Sequence, residues 1–216
     1  MRSGSVARLV LALSLIAGLS YPLGWDAGLP ALALTAWKGT GVALLALYAA
    51  LLAREADGWL LAVVLALGAL GDVLLETSMT AGALAFLAGH VVAIGLYLRN
   101  RRASLSRSQR LLALLVVPLG VIIAWSLPAD RAAAPGVALY GLTVAAMAAA
   151  AWTSRFPRYW TGLGAMLFLA SDLLIFARMG PLAEAAGISL TIWLAYYFGQ
   201  LLICLGVTRT LAAEPR

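Results

Sequence analysis

Charge is scarce in this chain of 216 residues: Asp, Glu, Lys and Arg make up 11% of positions, against roughly 25% in an average soluble domain. Acidic residues number nine, and there is one histidine, one cysteine and, at Lys38, one lysine. A lone cysteine, Cys204 in an apolar run, excludes a disulfide framework within the chain and a cysteine-based zinc site. One histidine and a few scattered carboxylates lack the spacing of a zinc motif, so neither a metal nor another cofactor is expected. No phosphate-binding glycine loop, dinucleotide fingerprint or serine-centred elbow is present. Long polar stretches are missing as well, which leaves no segment for a separate soluble catalytic domain.

What fills the chain is apolar: 63% of residues are hydrophobic, more than a soluble domain of this size can bury. Eight apolar runs, at 7–24, 31–52, 58–76, 81–98, 110–127, 136–153, 160–177 and 188–207, approach the length of about 20 residues that crosses a bilayer core. The expected fold is an all-α polytopic membrane bundle of eight transmembrane helices, one integral membrane domain over residues 1–216. The first run ends at Gly18-Leu19-Ser20-Tyr21-Pro22 without a small-x-small cleavage site, and is expected to be a retained helix.

A net charge of +6 invites a nucleic-acid reading, yet the cations sit in short loops between apolar runs and no nucleic-acid partner is expected. With the N-terminus cytoplasmic, one side collects Arg2, Arg8, Arg54, the five arginines from 99 to 110, Arg155, Arg158, Arg209 and Arg216. The other side collects Arg131 and Arg178. That asymmetry follows the positive-inside rule and places both termini in the cytoplasm. The seven tryptophans fall mostly near the ends of spans, as interfacial anchors do. Arg- and Ala-rich composition with compact loops points to a bacterial inner membrane.

A four-helix unit is also expected to occur twice, as half-repeats 1–105 and 106–216. Gly71-Asp72-Val73-Leu74-Leu75 parallels Ser171-Asp172-Leu173-Leu174-Ile175, and Ala85 to His90 parallels Ala195 to Gln200 in the same order. Four is even, so the halves would run in the same direction through the membrane, about an axis along its normal.

An ionisable side chain at the middle of a membrane helix costs about 2.5–3.5 kcal/mol or more, so each needs a reason. The set is Lys38, Asp72, Glu76, His90 and Asp172, with Tyr140, Tyr196, Tyr197 and Gln200 as uncharged neighbours. At 1.5 Å per residue all five ionisable groups fall in the half of the membrane away from the arginine-rich side, as the lining of one polar cavity would. Each has a plainer reading. Glu76 either lines that cavity or marks the water boundary; Lys38 snorkels, pairs with a carboxylate or holds an anionic head group; His90 bonds a neighbouring helix or takes part in chemistry. The aspartates are hardest to explain structurally, because Ser or Asn makes a hydrogen bond in lipid at lower cost. Two carboxylates in different surroundings can divide acid and base roles, protonating an acid-labile bond and stabilising the cation that results. An intramembrane aspartyl protease fits poorly, since Gly68 to Asp72 and Ala170 to Asp172 lack that class's motifs.

The runs Gly71-Asp72-Val73-Leu74-Leu75, Phe86-Leu87-Ala88-Gly89-His90, Leu167 to Asp172 and Tyr196-Tyr197-Phe198-Gly199-Gln200 together resemble the YhhN-like lysoplasmalogenase family, in order and spacing along nearly the whole chain. That resemblance implies eight membrane helices and hydrolysis of the vinyl ether bond of lysoplasmalogens, yielding a fatty aldehyde and glycerophosphocholine or glycerophosphoethanolamine. It implies Asp72 and Asp172 as the catalytic pair, Lys38 and His90 as the family's helix-two lysine and helix-four histidine, and Tyr197 and Gln200 as its helix-eight pair. Tyr140 joins these as a substrate-binding candidate, with Glu76 and Tyr196 as further pocket residues. Two positions depart from many bacterial relatives: Gly39 stands where Pro follows the lysine, and Ala93 where a Tyr follows the histidine, with Tyr97 one turn on as the nearest substitute. Membrane lipids and a lysophospholipid substrate are the implied partners. The other class that fits is a proton-coupled transporter or a lipid-binding membrane protein, because parallel repeats and midplane acids describe transporters too.

Overall fold

Each apolar run folds as a helix. The computed structural model describes residues 2–213; Met1 and residues 214–216, Arg216 of the orientation argument among them, lie outside the described residues. The helices are α1 (Arg2–Ser20), α2 (Ala31–Leu52), α3 (Ala56–Leu75), α4 (Met79–Arg99), α5 (Arg107–Ser126), α6 (Ala134–Thr153), α7 (Leu163–Ala177) and α8 (Ile188–Ala212). A 3₁₀ turn, Tyr21–Gly24, prolongs α1, and a π turn, Arg158–Gly162, leads into α7. All eight spans are long and apolar enough to cross a membrane, and the chain is a multi-pass membrane protein. Among the described residues there is no strand, only a single bridge between Arg101 and Ser154.

Helix and closed barrel are the two structures that satisfy every backbone N–H and C=O without water, so uninterrupted apolar runs of this length must be helical in lipid. Several helices outrun their apolar runs at one end, because backbone bonding continues into the flanking polar residues. Arg8 turns its Nε back to the Gly4 carbonyl at 3.2 Å, and α8 extends to Ala212 with Arg209 favourably placed in its last turn. Helix starts carry local signals. Ser106 and Gln109 form a reciprocal capping box at α5, Pro lies in the first turn of α6, and Gly187, at φ +72°, adopts the left-handed turn that releases the chain into α8.

The chain divides into two compact units, Met1–Ala93 with Val207–Arg216, and Ile94–Gly206. In the first, α2 packs between α1 and α3: Ser14 Oγ donates to the Gly41 carbonyl at 2.7 Å and Trp37 Nε1 to the Ala17 carbonyl at 3.2 Å, above a core of Val42, Leu45, Leu61 and Leu65. In the second, α6 is the enclosed helix and α5 the peripheral one. Ala145, Ala148 and Ala151 of α6 are fully buried, and small residues bring α5 and α6 together: a Cβ on Gly120 would stand 2.8 Å from that of Ala145, and one on Gly141 2.6 Å from that of Ala124. Close backbone approach through small residues is the usual way membrane helices gain dispersion contact, lipid being as apolar as Leu.

Trp59 and Trp125 remain half exposed, as anchors should, with the Arg131 guanidinium 5.5 Å over the Trp125 ring. Trp193 does not behave as an anchor. It is buried in α8 and stacks on Tyr197.

Candidate active site

In the first unit the polar residues lie on α2, α3 and α4, and α3 packs against each of the other two. Gly39 permits the α2–α3 approach, since a Cβ there would meet Val73 Cγ2 at 2.7 Å. Its neighbour Lys38 reaches Glu76, the residue that caps α3, with Nζ 2.6 Å from Oε1; the two side chains are 16% and 42% exposed. Pairing neutralises an ammonium at a depth where an isolated charge costs on the order of 3 kcal/mol. Asp72, one turn before Glu76 on the same face of α3, is 2% exposed. Gly71 beside it takes the ring of Phe86, and Gly82 takes Leu75, so α3 and α4 interlock in antiparallel register. His90, on α4, is 3% exposed. Tyr21, edge-on to Trp25 and Trp37, is within electrostatic reach of Lys38, Glu76 and Asp72.

The second unit carries Asp172 on α7, 5% exposed, with one carboxylate oxygen accepting from the Tyr140 hydroxyl of α6 at 2.9 Å. Phe176 stands edge-on to the Tyr140 ring, centroids 5.5 Å apart, and holds the phenol in that direction. Ser171 donates to the Ile192 carbonyl of α8 at 3.0 Å. One face of α7 then packs backbone to backbone on α8: a Cβ at Gly164 would lie 2.6 Å from the Gly199 carbonyl oxygen, and one at Gly199 2.8 Å from that of Gly164. This crossing sets an aromatic wall beside α7, with Phe168 edge-on to Tyr196 at 5.3 Å and Trp193 stacked on Tyr197 at 6.2 Å. Gln200 Nε2 donates to the Tyr196 hydroxyl at 3.5 Å, while its buried Oε1 has no hydrogen-bond partner among the described residues.

The family model described as the YhhN family matches residues 33–207, which takes in both aspartates, the lysine, the histidine and the aromatic wall. The chain belongs to the YhhN family. Two curated relatives, each named lysoplasmalogenase, come from Mycobacterium bovis and Mycobacterium tuberculosis; both are 32% identical over 159 residues, covering 68% of this chain. The chain spans 59% of the length of these relatives. No solved structure matches.

Of the candidate residues in this YhhN-family chain, Lys38 and Glu76 are brought together as an ion pair, Tyr140 and Asp172 as a hydrogen bond, and Tyr196 and Gln200 as neighbours one helical turn apart. Tyr97 does not replace the missing aromatic near His90: its ring packs edge-on to Phe156, centroids 6.2 Å apart. Seven residues separate it from His90, about 10 Å along the helix. Two further candidate residues escape a reading of the sequence. Tyr21 lies in the turn after α1, and Trp193 reads as an anchor. A Trp within one turn of a Tyr-Tyr pair was the available signal for the second, while nothing in the sequence marks the first.

Proposed function

We propose that this protein is a membrane-embedded lipid hydrolase that cleaves the vinyl ether bond of lysoplasmalogen-type lysophospholipids, releasing a fatty aldehyde and glycerophosphocholine or glycerophosphoethanolamine. One observation carries the reading: two buried carboxylates, on α3 and α7, in a chain of the YhhN family with relatives named lysoplasmalogenase. Each carboxylate costs too much in an apolar interior to be kept for packing.

In this reading Asp72 and Asp172 divide the work of acid and base. The acid delivers a proton to the vinyl carbon one removed from the ether oxygen, which leaves an oxocarbenium cation at the carbon bearing oxygen. The second carboxylate, ionised, stabilises that cation and directs a water molecule onto it. The resulting hemiacetal loses the glycerol oxygen as an alcohol, and the carbonyl forms. Tyr140 orients Asp172 through its hydrogen bond. His90 orients the other partner, and Lys38 meets the phosphate, which competes with Glu76 for the ammonium. The partnerless Oε1 of Gln200 complements a ligand donor, for which the free hydroxyl of a lysophospholipid glycerol is suited.

The test is hydrolysis by purified protein in detergent and deuterated water, with the aldehyde trapped at once by reduction. One deuterium on the carbon next to the former carbonyl supports protonation at carbon, and product without it overturns that step. Turnover with no membrane gradient also separates a hydrolase from a transporter. Cysteines replacing both aspartates, in a Cys204→Ala background, should be bridged by a bifunctional reagent shorter than about 10 Å if the carboxylates serve one substrate, as in paired-carboxylate hydrolases. We place both termini on the cytoplasmic side of a bacterial inner membrane on the strength of the arginine asymmetry. A reporter active only outside the cytoplasm, fused after Arg216, should be silent.

A further inference from the structure

Two grooves of equal size, about 480 Å³ each, flank α5. One runs between α5 and α7, from Leu111 to Leu173, and Ser108 is its sole polar lining residue. The other lies among the end of α4, α5 and α6, and it differs in one respect. Its walls are Leu98, Leu114 and the small Ala149 and Ala150, but Arg101 and Arg110 also line it, with no acidic side chain among the lining residues.

Both arginines project from backbone that is tied down. Arg102 donates from Nε to the Ser154 carbonyl at 2.7 Å and from its backbone N–H to the Thr153 carbonyl at 3.1 Å. The Arg155 backbone N–H donates to the Asn100 carbonyl at 2.7 Å. On the α5 side, Gln109 of the capping box donates to the Trp152 carbonyl at 3.3 Å. The α4–α5 and α6–α7 connections are thus clasped together, and the arginines next to these anchors are held in place. The guanidinium groups of Arg102 and Arg155 are spent on this clasp, whereas those of Arg101 and Arg110 are exposed and make no hydrogen bond or ion pair to any described residue. Below them Leu98 and Leu114 are 54% and 70% exposed, an apolar surface that only hydrocarbon suits. Alanine at 149 and 150 keeps the α6 wall low enough for a chain to lie against it.

We infer that the α4–α5–α6 groove is a binding site for an anionic phospholipid of the leaflet that meets the arginine-rich end, its phosphate between Arg101 and Arg110 and an acyl chain along Leu98, Leu114 and Ala149. Charge complementarity selects the occupant: a basic pair capping an apolar groove between membrane helices matches an anionic head group with its tail, whereas a zwitterionic lipid brings its own cation and leaves the charge of both arginines uncompensated. Neither aspartate lines the groove, and the inference does not depend on the reaction proposed above.

Native mass spectrometry of the full-length protein in detergent, titrated with phosphatidylglycerol or with phosphatidylcholine of the same chains, tests the inference. Wild-type protein should retain the glycerol lipid about 30-fold more strongly, the increment expected from two arginines at a membrane surface. Arg101→Gln with Arg110→Gln should bring retention down to the choline level, and Arg54→Gln should leave it unchanged. Ala149→Leu, which fills the groove without touching charge, should weaken both lipids. Equal retention of the two lipids by the wild-type protein, a comparison that needs no variant, would overturn the inference. So would full phosphatidylglycerol binding by the double variant, or a lipid-free dimer in which a second copy covers the groove.

Discussion

Asp72 and Asp172 are buried in the company of different polar groups. On α3 the aspartate shares its face with Glu76, one turn away and tied to Lys38 in an ion pair whose glutamate is 42% exposed. On α7 the described partner is a neutral hydroxyl. Asp172 takes a hydroxyl from Tyr140, and its surroundings are rings: Phe176 against Tyr140, Phe168 against Tyr196, Trp193 on Tyr197. The difference follows the cost of desolvation. A full ion pair is tolerable where water still reaches one partner, and neutral dipoles lose less on leaving water. In the proposed reaction Lys38 of the first unit meets the charged head group, and each unit supplies one aspartate.

The comparison breaks first at the aspartates. Asp72→Asn and Asp172→Asn should each fold and each lose at least about 100-fold in the rate of vinyl ether hydrolysis, the low end of what a positioned acid or base contributes. Full activity in either variant would leave its unit without a catalytic carboxylate. Stability should then separate the two helix crossings. Gly164→Ala drives a methyl into the Gly199 carbonyl, which is backbone and cannot move aside, and should lower the melting temperature in detergent by several degrees, as overpacking of about 1–3 kcal/mol does. Gly71→Ala meets the Phe86 ring, a side chain that can turn, and should shift it less.

Smaller effects sharpen the division of labour. Tyr140→Phe removes the donor to Asp172 and leaves its ring contact with Phe176, so kcat should fall about tenfold with KM little changed, the size of one hydrogen bond to a charged group. Lys38→Ala should do the reverse, raising KM severalfold with kcat nearly constant, as lost ground-state binding of a head group does. If both variants changed kcat alike, the assignment of Lys38 to the head group and Tyr140 to the chemistry would fail.

Sequence alone determined the eight spans, their limits to within a few residues, and the roster of polar groups that lipid cannot ignore. A backbone in hydrocarbon has to satisfy itself, and an Asp among Leu and Ala stands out whatever its neighbours. Tertiary structure alone decided who meets whom. Lys38 and Glu76 are 38 residues apart in the chain, and Tyr140 and Asp172 are 32 apart. Whether such pairs touch depends on the rotation of each helix about its axis. In a soluble helix an apolar stripe reports that rotation, but helices such as α6 and α8 are apolar on every side, so periodicity carries little of it. Rotation is set instead where glycines let helices approach closely, at Gly39 against Val73, Gly71 against Phe86 and Gly164 against Gly199, and those contacts exist only once the helices have packed.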